Sequence, residues 1–189
     1  MAEVTIAVHA AAEAAAFRDE VAAIWEDAFD PIPDLRQWRE TVFDRHRGRD
    51  RYRLAIATHR GRDIGFAWGY IGQRGQFWSD RVLERLGEVA EPWVGGLVEF
   101  VELAVLQAFR AAGTGGRLHD ALLNSLPSRP ALLGTTRDAE DPAVRLYRSR
   151  GWRTLGRLDP DSQVMVRPPG PGSDHNGSTR HSRRRKGRS

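Results

Sequence analysis

The sequence predicts one α/β domain built on a mixed β-sheet, and three observations carry this. Helical and strand-like periods alternate along the chain, with a hairpin in its first half. A glycine-rich turn, Arg110-Ala111-Ala112-Gly113-Thr114-Gly115-Gly116-Arg117, joins an apolar strand-like run to a helix-like run. Asp141-Pro142 then starts a helix that Gly151 closes, and two final strand-like segments follow.

Thr5 to Val8 reads as a short first strand. Phe17, Val21, Ile24, Trp25 and Ala28 fall at helical spacing within Ala14 to Phe29. Asp30-Pro31-Ile32-Pro33 breaks that helix, and Asp34 caps a second from Leu35 to His46. Tyr52 to Thr58 alternates as a strand. Residues 59–63 give a four- or five-residue loop, and Ile64 to Ile71 returns as its hairpin partner. Gly72 to Gly75 is a break before a helix over Asp80 to Val89. Leu97 to Leu106 is a long strand. Arg117 to Leu126 is a helix with Leu118, Ala121, Leu122 and Ser125 on one side. Ala131 to Thr136 is a short strand after Pro130. Trp152 to Arg157 and Gln163 to Val166 form a closing antiparallel pair. No internal repeat is present.

The chain has 189 residues, 40% hydrophobic, enough for one proper core. No apolar run reaches the roughly 18 residues a membrane span needs. The alanine-rich start carries Glu3, Glu13 and Arg18 and has no basic leader, so a cytoplasmic protein is expected. With no cysteine, disulfides, thiolate metal sites and cysteine nucleophiles are excluded. The net charge is +4, yet Arg180, Arg183, Arg184, Arg185, Lys186 and Arg188 all lie in the last segment against Asp174 alone. The folded part is therefore nearly neutral. Residues 1–167 are expected as the domain and 168–189 as a disordered basic tail. Lys186 is the only lysine among 29 basic residues, a bias typical of GC-rich coding sequences such as those of actinobacteria.

A glycine turn between a strand and a helix start is a phosphate cradle. Glycine lets a ligand approach the main chain, and the helix dipole favours negative charge. A Walker A loop is excluded because no Gly-Lys-Ser/Thr is present. A dinucleotide fingerprint fails because Gln107 to Ala112 separate the strand from the glycine, and position 118 is leucine. Arg110-Ala-Ala-Gly113-Thr-Gly115 instead resembles the acyl-CoA pyrophosphate loop of the GNAT acetyltransferases. Upstream, Glu99-Phe-Val-Glu-Leu-Ala-Val105 is similar to that family's fourth strand. Downstream, Pro142-Ala-Val-Arg-Leu-Tyr147-Arg-Ser-Arg-Gly151-Trp152 is similar to its second signature helix. The resemblance runs from about Leu97 to Val166.

This resemblance implies a mixed central sheet with a splayed fourth strand, flanked by helices. It implies acetyl-CoA as co-substrate and an N-acetyltransferase acting on a primary amine of a small molecule or peptide. Ala111, Ala112, Gly113, Thr114, Gly115 and Gly116, with Arg110 beside them, would cradle the pyrophosphate. The Leu103 N–H would hold the acetyl oxygen, and Ala104 and Val105 would line the pantetheine arm. Tyr147 would act as general acid to the sulfur, and Glu99 or Glu102 as base, directly or through water. On a regular strand these glutamates face opposite sides, and only a bulge changes that. Transfer is expected to be direct in a ternary complex, since no cysteine can carry the acyl group. A non-catalytic acyl-CoA-binding regulatory domain is the alternative. Two positions depart from the family pattern: Glu140 replaces a frequent asparagine, and Gln107 replaces a proline.

The six histidines show no metal spacing, and solvated surface is their default. No metal is expected. Trp68, Trp78, Phe77 and Tyr70 line an acceptor pocket or fill the core. Asp80, Glu84, Glu88 and Glu91 suit a cationic amine or a solvated helix face. Aminoglycosides, polyamines, amino acids and protein N-termini all remain open as acceptors. The arginine-rich tail is a non-specific nucleic-acid contact or an inert solubilising extension. Homodimers are common in the family, and the sequence leaves a homodimer open without deciding the oligomeric state.

Overall fold

The longest buried stretch, Ile64 to Gly72, marks the middle of the sheet. A strand buried on both faces must have neighbours on both sides and cover on both faces. In the computed structural model, which describes residues 3–169, that strand is β3 (Arg62–Ile71). The first edge strand is β1 (Val4–Ala10), with alternating burial, and β2 (Arg53–His59) lies between them. Beyond β3 come β4 (Val98–Val105), β5 (Ala131–Thr136), β7 (Ser162–Arg167) and finally β6 (Arg153–Arg157). The result is a seven-stranded mixed sheet of order β1-β2-β3-β4-β5-β7-β6. Its one parallel pairing is β4 with β5.

The β2–β3 connection is tighter than the loop lengths read from sequence. His59 pairs with Arg62, which leaves a two-residue turn. Arg60 (φ 51°) and Gly61 (φ 76°) both sit in the left-handed region, as a type I′ turn requires. The arginine at the first turn position hides that signature.

Before β2 the chain is helical. A short helix α1 (Ala11–Ala14) and a 3-10 turn lead into α2 (Arg18–Ala28). Asp34 caps α3 (Leu35–Trp38), accepting from the Gln37 N–H. The rod then widens into a π-helical segment, Arg39–Asp44, and closes with α4 (Arg45–Arg47). The Thr41 hydroxyl donates to the Gln37 carbonyl at 2.8 Å and competes with the backbone ladder. The wider winding puts both Trp38 and Phe43 into the core. Arg18 ties α2 to this rod through two bonds to Asp44, at 2.8 and 2.9 Å.

After β3 come α5 (Phe77–Leu86), α6 (Thr114–Ser125) and α7 (Pro142–Ser149). Helix α6 starts at Thr114, inside the glycine turn, so the turn is the helix N-terminus itself. Leu118 and Leu122 of α6 are fully buried in the main core. A smaller cluster of Val82, Leu132, Val164 and Val166 seats α5 against the far half of the sheet. Among the described residues no helix is long and apolar enough to cross a membrane. The predicted tail lies, from residue 170 onward, outside the described residues.

Candidate active site

The site begins with an irregularity in β4. Trp68 pairs with Glu102 and Gly69 with Phe100, so Val101 is an unpaired extra residue. Tyr70 pairs with Glu99, and Trp68 and Tyr70 lie on one face of β3, which runs regularly between them. Glu99 and Glu102 therefore share a face. The regular-strand expectation of opposite faces is corrected by the bulge, which has no mark in the residues around Val101.

β4 also parts from β5. Only Val98 and Glu99 pair across, with Ala131 and Leu132. The Leu106 N–H donates to the Ile64 carbonyl on β3, so by alternation the main-chain groups of Val105 and Leu103 face the gap. The Val105 carbonyl accepts from Arg110 Nε at 3.0 Å, which folds the guanidinium back over the strand end. Arg110 also reaches the Ala28 carbonyl, so this side chain braces the loop. Gln107, standing in the proline position, donates its own N–H to Asp27 Oδ2 at 2.7 Å, a bond proline cannot make.

Past Arg110 the backbone turns sharply. Ala111 (φ 63°) and Gly113 (φ 80°) are both left-handed. The first main-chain bond of α6 runs from the Arg117 N–H to the Gly113 carbonyl. The N–H groups of residues 111–116 thus have no partner among the described residues. A row of free amides at a helix N-terminus fits a pyrophosphate. A Cβ at Gly113 would meet nothing within 4 Å, while one at Gly116 would strike the Arg150 guanidinium.

On the Glu99 face a cleft of about 260 Å³ opens where β4 and β5 part. Arg45, His46, Arg49, Tyr70, Phe77 and Trp78 are among its walls. Glu99 is buried at 4% exposure and accepts from the Ser79 hydroxyl at 2.5 Å. Across the sheet, Tyr70 pairs with Glu99 in register, and the Tyr70 hydroxyl lies 3.1 Å from His46 Nδ1. Burial raises the Glu99 carboxyl above its usual range, against the pull of Ser79, Tyr70 and Arg49. Burial first, then Arg45 and Arg49, push His46 down to about 4. Near neutral pH that ring is uncharged. Gly72 makes room for this arrangement, since a Cβ there would overlap the Glu99 carboxyl.

Glu102 is half-buried, and loss of solvent raises it to about 8. On the α6 side of the sheet stands Tyr147, buried and edge-on to Phe100 at 5.9 Å. Burial raises its phenol, and the charges of Glu102 and Asp141 raise it further. Asp141 caps α7, accepting from the Ala143 and Val144 N–H groups. Glu140 stays exposed and binds Arg145.

His119 corrects the surface default for histidines: it is 1% exposed. The Trp152 indole N–H, which can only donate, binds His119 Nε2 at 2.9 Å. The ring proton is therefore on Nδ1, donated to Asp120 at 2.7 Å. Arg150 closes the chain on both Asp120 oxygens. This relay fastens α6 to the end of α7, behind Tyr147. Trp68 is core, whereas Trp78, Phe77 and Tyr70 line the cleft. Of the acids between the hairpin and β4, none lines it: Asp80 accepts from the Gly75 N–H and Glu91 pairs with Arg74. Sequence reasoning missed Ser79, His46, Arg45 and Arg49. The run Arg45-His46-Arg47-Gly48-Arg49 was the available signal, but at a helix end it reads as solvated charge.

A model of the acetyltransferase (GNAT) family matches residues 16–152. Sequence comparison with curated proteins finds no match. Solved structures share the fold. One is the ribosomal-protein-S18-alanine N-acetyltransferase from Escherichia coli, at TM-score 0.59 and 14% identity, covering 92% of this chain and 98% of that one. Another is the PaiA N-acetyltransferase from Thermoplasma acidophilum in complex with coenzyme A, at TM-score 0.55 and 13% identity, covering 88% and 99%. A third, described as histone acetyltransferase HPA2 and related acetyltransferase from Corynebacterium glutamicum, has TM-score 0.61 and 17% identity over 92% and 99%. With the family's sequence pattern spanning most of the chain, and its fold built around a parted β4, this protein belongs to the GNAT family of acetyltransferases.

Proposed function

We propose that the chain moves an acetyl group from acetyl-CoA to a primary amine, directly, within a ternary complex. One observation carries this reading. The open edge of β4 leads straight into the unpaired amides of residues 111–116, with carboxyls on one face and Tyr147 on the other. The amides of 111–116 hold the pyrophosphate. Val105 pairs with the pantetheine arm, beside Ala104, and the Leu103 N–H binds the acetyl oxygen, where negative charge develops.

Glu99 lines the cleft and takes the amine proton, directly or through one water. The amine nitrogen bonds to the acetyl carbon as the carbon–sulfur bond breaks. Tyr147 gives its proton to the departing sulfur. The raised Glu99 makes a stronger base than a surface carboxylate. The neighbouring arginines favour the neutral amine over its ammonium form.

The test is steady-state kinetics with acetyl-CoA and amine both varied, read as release of free thiol. Direct transfer gives intersecting double-reciprocal lines. Parallel lines require an acyl-enzyme and would overturn this route.

A further inference from the structure

The cleft beside Glu99 holds charge that a simple amine leaves unanswered. Arg45 and Arg49 both line it, and among the described residues neither makes an ion pair. Their neighbours are different: Arg18 and Arg47 both hold Asp44, and Arg39 holds Asp19. Arg49 Nε is buried with no hydrogen-bond partner, and so is Gln76 Oε1, another atom of the cleft wall. Leaving such a group unmet costs about 1–3 kcal/mol, which a bound anion and its donor groups remove. Glu99 does not fill this need, because among the described residues no ion pair joins it to either arginine and the Ser79 hydroxyl already engages it. The remaining walls include Phe77, Trp78 and Val101, so the body of a ligand meets apolar surface. At about 260 Å³ the cleft is smaller than the ~300–1,000 Å³ typical of drug-sized ligands.

We propose that the acceptor is a small amino acid with an apolar side chain, its carboxylate held by Arg45 and Arg49 and its amine turned to Glu99. This rests on the acetyl-transfer reading above. Guanidinium groups match a carboxylate with paired N–H bonds, and two like charges facing one cleft are relieved by an anion between them. Gln76 Oε1 accepts from the amine. The product is the N-acetyl amino acid, with free CoA as the other product.

The experiment compares acetyl transfer to leucine and phenylalanine with transfer to their carboxamides, their decarboxylated amines and their aminophosphonate analogues. The acids are expected to exceed the amides and amines by about 10- to 100-fold in kcat/KM, mostly through KM. R49Q and R45Q should bring that ratio toward one, while R49K retains the larger part of it and controls for folding. Amides or amines that equal the acids, or a ratio that R49Q leaves intact, overturn the inference and leave the transferase standing. Preference for the phosphonates overturns the carboxylate assignment. Transfer to no amine at all overturns both readings.

Discussion

Tyr147 and Glu99 carry the two proton transfers of the proposed reaction, and each is held by a different side of the sheet. Y147F removes the proton donor but keeps the ring against Phe100 and Trp152. Turnover should fall by about 10²–10⁴-fold, with the calorimetric affinity for CoA unchanged. Equal turnover would remove Tyr147 from the reaction. Glu102 makes a separate prediction through stability. Its carboxyl is raised from 4.5 to about 8, so the folded state holds a proton that the unfolded chain has lost. The contribution is present below 4.5 and is lost as pH rises through 8. The gain in Tm from E102Q should therefore grow between about pH 5 and pH 9. A gain independent of pH would contradict the raised value. The places of Tyr147 and of the glycine turn were legible in the sequence, because the capped helix and the glycine run fix where each sits. Arg45 and Arg49 were not, because both read as solvated charge beside a helix end; Arg45 does stay exposed at the cleft mouth, and only the packing around the cleft buries Arg49 Nε.

At the scale of elements, two devices set the geometry: the Val101 bulge and the relay behind α7. The bulge brings both glutamates to one face and coincides with the parting of β4 from β5. It was illegible, since a valine in an apolar strand gives no sign of being skipped. The relay can be broken at its indole. W152F keeps an aromatic ring, at smaller volume, and leaves His119 Nε2 buried without its donor. A loss of about 1–3 kcal/mol in stability is expected by denaturant unfolding. Unchanged stability would mean the relay holds nothing. Gly72 offers a third handle. G72A pushes a methyl group into the Glu99 carboxyl. It should lower acetyl transfer more than it lowers CoA affinity. The elements themselves were mostly readable from periodicity and caps. Two departures have local physical causes: the Arg60-Gly61 turn uses a non-glycine residue at positive φ, and Thr41 diverts the second helical rod into π winding.

For the whole molecule, the sheet is two blocks, β1–β4 and β5–β7, joined by just the pairs Val98–Ala131 and Glu99–Leu132. A ligand in that gap completes what the sheet leaves open. Amide hydrogen exchange should therefore slow at Leu103, Val105 and residues 111–116 when CoA is added, with the interior of β3 unaffected. The family and its topology were legible at this scale because the strand, loop and helix motifs fall in order along the chain. The cleft proposed for the acceptor was not, because it draws on α4, α5, β3, β4 and β5, which no single stretch of sequence brings together.

The most direct test of the central claim is calorimetric titration of acetyl-CoA into the wild-type protein and G113E. A Cβ at Gly113 meets open space but is strained at φ 80°, so G113A, with the same strain and no carboxylate, is titrated alongside and should keep most of the binding. The account predicts micromolar binding to the wild type and its loss in G113E. No binding to the wild type, or equal binding to both, would contradict it.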